Sequence, residues 1–163
     1  MTYTVSLSNP SAFATKVYVA LSGTATAADY AAAGLTAETV DGVTSYYVTI
    51  AAGQTSTTFT VDPVGDTVFE GAETVVATIS SPSTNGVALN LGTATATGTI
   101  YDDGSDPDGD GPATPYDSDQ PTVSIAVSPS GISEGDASET SAMTYTVSLS
   151  NPSAFATKVY VAL

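Results

Sequence analysis

With 163 residues, 42% of them hydrophobic, the chain can build one packed core of ordinary size, which excludes wholesale disorder. Seventeen acidic residues against two lysines and no arginine give a net charge of −15, which excludes nucleic acid as a partner and sets the chain against anionic membrane surfaces. The absence of Cys and His removes thiol and imidazole chemistry, disulfides and zinc–thiolate sites. Carboxylate oxygen, the ligand hard cations prefer, remains in quantity.

In chain order the pattern is β. Residues Thr2–Ser8 alternate, with Tyr3, Val5 and Leu7 on one face, and Lys16–Leu21 groups Val17, Val19 and Leu21 in the same way. The Ala-rich stretch Ala25–Ala37 is read as a helical turn. Strands are expected at Val43–Ile50 and Thr55–Val64, joined by a hairpin loop at Ala51–Gln54, then at Glu73–Ser80 and Thr93–Tyr101. Another follows at Thr122–Val127. Because successive strand residues face opposite ways, Tyr46 and Tyr47 should place at least one ring in the core. Seven or so short strands between turn signals predict an all-β chain, a sandwich of immunoglobulin-like character. No apolar run approaches the length of a membrane-spanning helix.

The last 21 residues, Met143–Leu163, repeat Met1–Leu21 letter for letter, a period of 142 residues. Identity at that level marks a tandem array. Lys16 and Lys158 are one position in two copies. Between the strand patterns lies GSDPDGDGPATPYDSDQ, residues 104–120, with almost nothing to bury. The expected organisation is therefore a sandwich repeat at 1–103 that lacks its first strand, an acidic linker at 104–120, and the first strands of the next repeat at 121–163. Such a body has an open sheet edge, and such a tail has strands without a sandwich. Fold-back and exchange of strands between molecules both remain open.

Within the linker, Asp106, Asp108 and Asp110 with Gly111 fit D-x-D-x-D-G, the opening of an EF-hand-type calcium loop. Counted from Asp106, the backbone carbonyl at position 7 belongs to Pro112 and position 12 is Asp117. The pattern departs from the motif in having Asp for the bidentate Glu, and prolines where helices would flank. The competing reading is a solvated acidic linker.

A second set of acids sits at the strand ends: Asp29 in GTATAADY, Asp66, Glu70 and Glu73 in GDTVFEGAET, Asp102 and Asp103 in YDDG, and Glu134 in ISEGD. Taken singly, each could be a turn or capping residue. Together with VTIAAGQTSTTFTV and GTATATGTIYDDG, these segments resemble the Calx-beta motif of sodium/calcium-exchanger regulatory domains and of giant bacterial adhesins of the repeats-in-toxin type. The resemblance spans nearly the whole chain outside the linker, in permuted order. It implies a seven-stranded sandwich that gathers Ca²⁺ at one end, with ligands at Asp29, Asp66, Glu70, Glu73, Asp102, Asp103 and Glu134. The family often has two Asp in succession where this chain has Gly65-Asp66, which implies fewer ions or weaker binding. Glu134 belongs to the second copy and joins the others only by strand exchange or fold-back.

The expected function is that of a calcium-rigidified spacer in an extracellular adhesin at a bacterial surface, with neighbouring repeats as its partners. An exact internal copy suits reach better than a unique binding surface. The alternative is a glycan- or protein-binding sandwich, with Tyr30, Tyr46, Tyr47, Tyr101 and Tyr116 as candidate contact rings. Catalysis is not expected: paired carboxylates could serve glycoside hydrolysis, but no Arg, His or Trp is present to shape a sugar site.

Overall fold

The computed structural model describes residues 1–101, 120–133 and 142–162. Among them the chain is all-β, with antiparallel sheets and no helix. One sheet orders β1 (Thr2–Ser6), β6 (Ser56–Pro63) and β3 (Tyr30–Ala33). The facing sheet runs β4 (Thr36–Val40), β5 (Val43–Ile50), β2 (Thr15–Gly23) and β7 (Glu73–Thr84). Both β8 (Val87–Ala88) and β9 (Thr95–Ile100) pair with β7, at opposite ends of it.

Period-2 alternation puts one side of each strand between the sheets. Tyr3 and Val5 of β1 and Phe59 and Val61 of β6 meet Val17 and Val19 of β2, Val48 and Ile50 of β5, and Val75 and Ala77 of β7. That is a β-sandwich. Burying Phe59 fully contributes about 2–3 kcal/mol, and its ring stacks on Tyr3 at 5.0 Å. The Tyr3 hydroxyl crosses the core to donate to the Val75 carbonyl at 2.8 Å, and burial pushes that phenol up from its ordinary pKa. Thr15 Oγ1 is buried in the same layer without a hydrogen-bond partner among the described residues.

Two tight hairpins frame the second sheet. Val40 pairs with Val43 across Asp41-Gly42, and Thr84 with Val87 across Asn85-Gly86. All four turn residues have positive φ, the geometry whose twist matches that of the strands it joins.

The segment expected as a helical turn is extended instead. Residues 27–29 form a turn, then Tyr30–Ala33 pairs with β6 and Thr36–Val40 with β5. Sheet pairing overrides the helix preference of a short alanine run. Neither Tyr46 nor Tyr47 is core. Tyr47 lies on the outer face, its ring 4.1 Å beneath the Lys16 ammonium, while Tyr46 projects inward beyond the opposing sheet and stays about half exposed. On that outer face Lys16 forms an ion pair with Glu38 at 2.6 Å, which also accepts from the Tyr18 hydroxyl at 2.6 Å.

The sandwich has two poles. At one, β6 ends at Pro63 opposite Tyr30 and β9 ends at Ile100 opposite Glu73. At the other, the Leu7 N–H donates to the Thr55 carbonyl at 2.7 Å and the Gly53 N–H to the Ser11 carbonyl at 2.7 Å. Along one flank β1 is a sheet edge, beside a cleft of about 200 Å³ bounded by β1 and by residues 93–96. Beyond the linker, β10 (Val123–Ser128) and β11 (Thr144–Leu149) form a separate two-stranded sheet, with Val123 opposite Leu149 and Ser128 opposite Thr144. One side of this hairpin exposes Ile125, Tyr145 and Val147.

Candidate metal centre

The turn at 24–29 is pinned to the start of β7. The Thr74 N–H donates to Thr24 Oγ1 at 2.8 Å, the Thr24 N–H reaches Thr74 Oγ1 at 3.3 Å, and the Ala25 N–H donates to the Thr74 carbonyl at 3.1 Å. Gly23 is required there, because a Cβ at its φ of 132° would strike the Thr74 carbonyl. The turn thereby sets Asp29 beside Glu73, the first residue of β7. The irregular segment before β7 brings in Glu70.

One carboxylate oxygen from each of Asp29, Glu70 and Glu73 lies within 4.8 Å of the other two. Ligands on opposite sides of a Ca²⁺ ion at about 2.4 Å would stand roughly 4.8 Å apart, so the spacing is compatible with a single shared cation. Asp29 is buried and the two glutamates are half-buried. All three line a cavity of about 230 Å³ with Val64, Gly65, Asp66, Gly71 and Tyr101.

Local hydrogen bonds hold Asp29 ionised. The Thr26 N–H donates to its Oδ2 at 2.5 Å, which, with the Thr26 hydroxyl, holds its carboxyl below the ordinary range against the opposing effect of burial. The neighbouring Glu73 side chain acts, more weakly, in the same direction. Carboxylates gathered this closely repel one another unless a proton or a cation sits among them. An all-oxygen cluster of this kind could hold a metal ion.

Of the strand-end acids, the fold brings Asp29, Glu70 and Glu73 together. Asp66 lines the same cavity outside that triad, and its Oδ1 accepts the Val68 N–H at 2.8 Å in a local turn. Asp102, Asp103, Asp106, Asp108, Asp110, Pro112, Asp117 and Glu134 lie outside the described residues.

The same segment touches the second copy. The Phe69 N–H donates to the Pro152 carbonyl at 3.1 Å, and the Phe69 carbonyl accepts the Ala154 N–H at 3.0 Å. The rings of Phe69 and Phe155 meet edge to face at 5.8 Å. Sequence reading missed this contact. Comparison with protein-family models, curated protein sequences and solved structures found no match.

Proposed function

We propose that the chain is a calcium-binding spacer repeat, an immunoglobulin-like sandwich of Calx-beta character in a large extracellular adhesin. It would extend a distal ligand-binding region from a bacterial surface and perform no chemistry of its own. The observation that carries this reading is the convergence of Asp29, Glu70 and Glu73 at the pole from which the chain departs toward its second copy. Oxygen-only ligands at a solvent-accessible site favour Ca²⁺ over softer metals. The 142-residue tandem copy favours a role in reach. Without the ion, clustered carboxylates repel by about 1 kcal/mol per pair even in a water-like dielectric. With it, that pole becomes a fixed point. Small-angle scattering on a chain of three or four periods tests the reading: Ca²⁺ at sub-millimolar to millimolar concentration should lengthen or stiffen the particle. A shape indifferent to calcium would reject it.

A second reading rests on another cavity, of about 730 Å³, whose lining includes Tyr30, Tyr46 and Leu35. Half-exposed aromatic rings around a concave surface suit a glycan or peptide. A glycan array showing a specific hit that Tyr46→Ala abolishes would favour this binding-module alternative.

A further inference from the structure

The segment Asp66–Glu73 is gripped from two sides. Toward the sandwich, Glu70 and Glu73 converge on Asp29. Toward the second copy, Phe69 forms an isolated parallel bridge with Ser153, with its N–H and carbonyl both engaged. The Asn151 side chain reaches the Thr67 carbonyl at 3.5 Å, and the Phe155 ring lies 3.7 Å from where a Cβ on Gly71 would stand. Phe69 and Glu70 are consecutive, so one short backbone serves the docked loop and the carboxylate cluster.

The docked loop, Ser150–Phe155, is identical in sequence to Ser8–Phe13. In the first copy that loop lies at the pole opposite the carboxylates, where Phe13 is 56% exposed and Ser11 is tied to Gly53. The contact is therefore between the carboxylate pole of one repeat and the sequence that forms the opposite pole of the next. The intervening chain fits this order. It leaves from the cavity at Tyr101, and on its return Thr122 is bonded to Ser150, through the Ser150 N–H to the Thr122 carbonyl and the Thr122 N–H to Ser150 Oγ, both at 3.0 Å.

We infer that Asp66–Glu73 is the docking surface for the Ser-Asn-Pro-Ser-Ala-Phe loop of the following repeat, and that cation binding at Asp29, Glu70 and Glu73 is coupled to that docking. The inference rests on the metal reading above. A cation that fixes Glu70 also fixes its neighbour Phe69, so the docked loop finds its partner already ordered. By linkage the docked loop must raise cation affinity by the same factor. The device is a latch between repeats.

The test is a Ca²⁺ titration by calorimetry on the whole chain and on two single variants, Phe155→Ala and Phe13→Ala. The two alter the same position in two copies, and both rings are exposed, so neither should disturb the core. Coupling predicts Ca²⁺ affinity weakened by about fivefold or more in Phe155→Ala, with Phe13→Ala like the parent. Amide exchange should lose protection at Phe69 and Ala154 in Phe155→Ala alone. Equal affinity in all three proteins overturns the coupling. Unchanged protection at both amides overturns the docking surface. A parent chain that binds no Ca²⁺ while Phe155→Ala still loses that protection rejects the metal reading and leaves the docking surface standing.

Discussion

Tyr3 and Tyr145 occupy the same position in two copies of one sequence, yet Tyr3 is 8% exposed and Tyr145 62%. Their strands are alike, since β1 and β11 share residues and alternation. What differs is the opposing layer. Tyr3 has Phe59 on its own sheet and Val75 across the core, whereas among the described residues β11 pairs only with β10. Tyr3→Phe removes the cross-core hydrogen bond and should cost about 0.5–1.5 kcal/mol. Thermal melting should show a drop of roughly 2–8 °C, and Tyr145→Phe should melt like the parent.

Calcium should stabilise the fold through the carboxylate cluster. At tenfold excess over its dissociation constant one filled site adds about 1.4 kcal/mol, or roughly 5 °C in a domain of this size. Asp29→Asn keeps an oxygen for the Thr26 N–H but removes the charge, and Glu70→Gln removes a second. Melting with and without Ca²⁺ should show that increment abolished in the double variant. An increment that survives places the responsive ion elsewhere.

Acid should act through Asp29 and Glu38. The Thr26 N–H lowers the Asp29 pKa in the folded state, and the hydrogen bond from Lys16 lowers that of Glu38. A carboxyl whose folded pKa is depressed contributes stability above its ordinary value, and that contribution disappears as pH falls through the folded value. Chemical denaturation at steps from pH 6 to pH 2.5 should show stability falling below about pH 4. In Glu38→Gln the fall should be shallower. Lys16 has the opposite sign: Glu38 raises its pKa, so its share is lost only at strongly alkaline pH.

The Asp41-Gly42 hairpin offers a clean test of backbone strain. Gly42 has a φ of 78° and open space where a Cβ would stand. Gly42→Ala should therefore cost only the left-handed penalty, about 1–2 kcal/mol, readable as a shift in the urea midpoint with unchanged slope.

Much of the sandwich was legible because alternation is a local property. Tyr3/Val5, Val17/Val19 and Val48/Ile50 announce inward faces without reference to any partner. The Asp41-Gly42 and Asn85-Gly86 hairpins carry a plain two-residue turn signal between paired residues, yet reading by strand alternation alone marked neither. Three of the strand-end acids meet because their strands end at one pole. Asp66 lines the cavity beside them, with its Oδ1 taken up by the Val68 N–H. The docking of Phe155 on Phe69 joins two irregular segments far apart in sequence, so no period or motif could have marked it.

The strand lengths of the sandwich have a mechanical consequence. A strand such as β2, nine residues, spans roughly 30 Å. The 142 residues of one period, pulled straight, span roughly 480 Å. The chain has no cysteine, so no covalent tie limits that extension. On the spacer reading proposed above, each repeat would be a short segment holding more than ten times its folded strand length in reserve. Under tension an array of them would yield one unit at a time, dissipating a sudden pull as slack before the chain itself is strained.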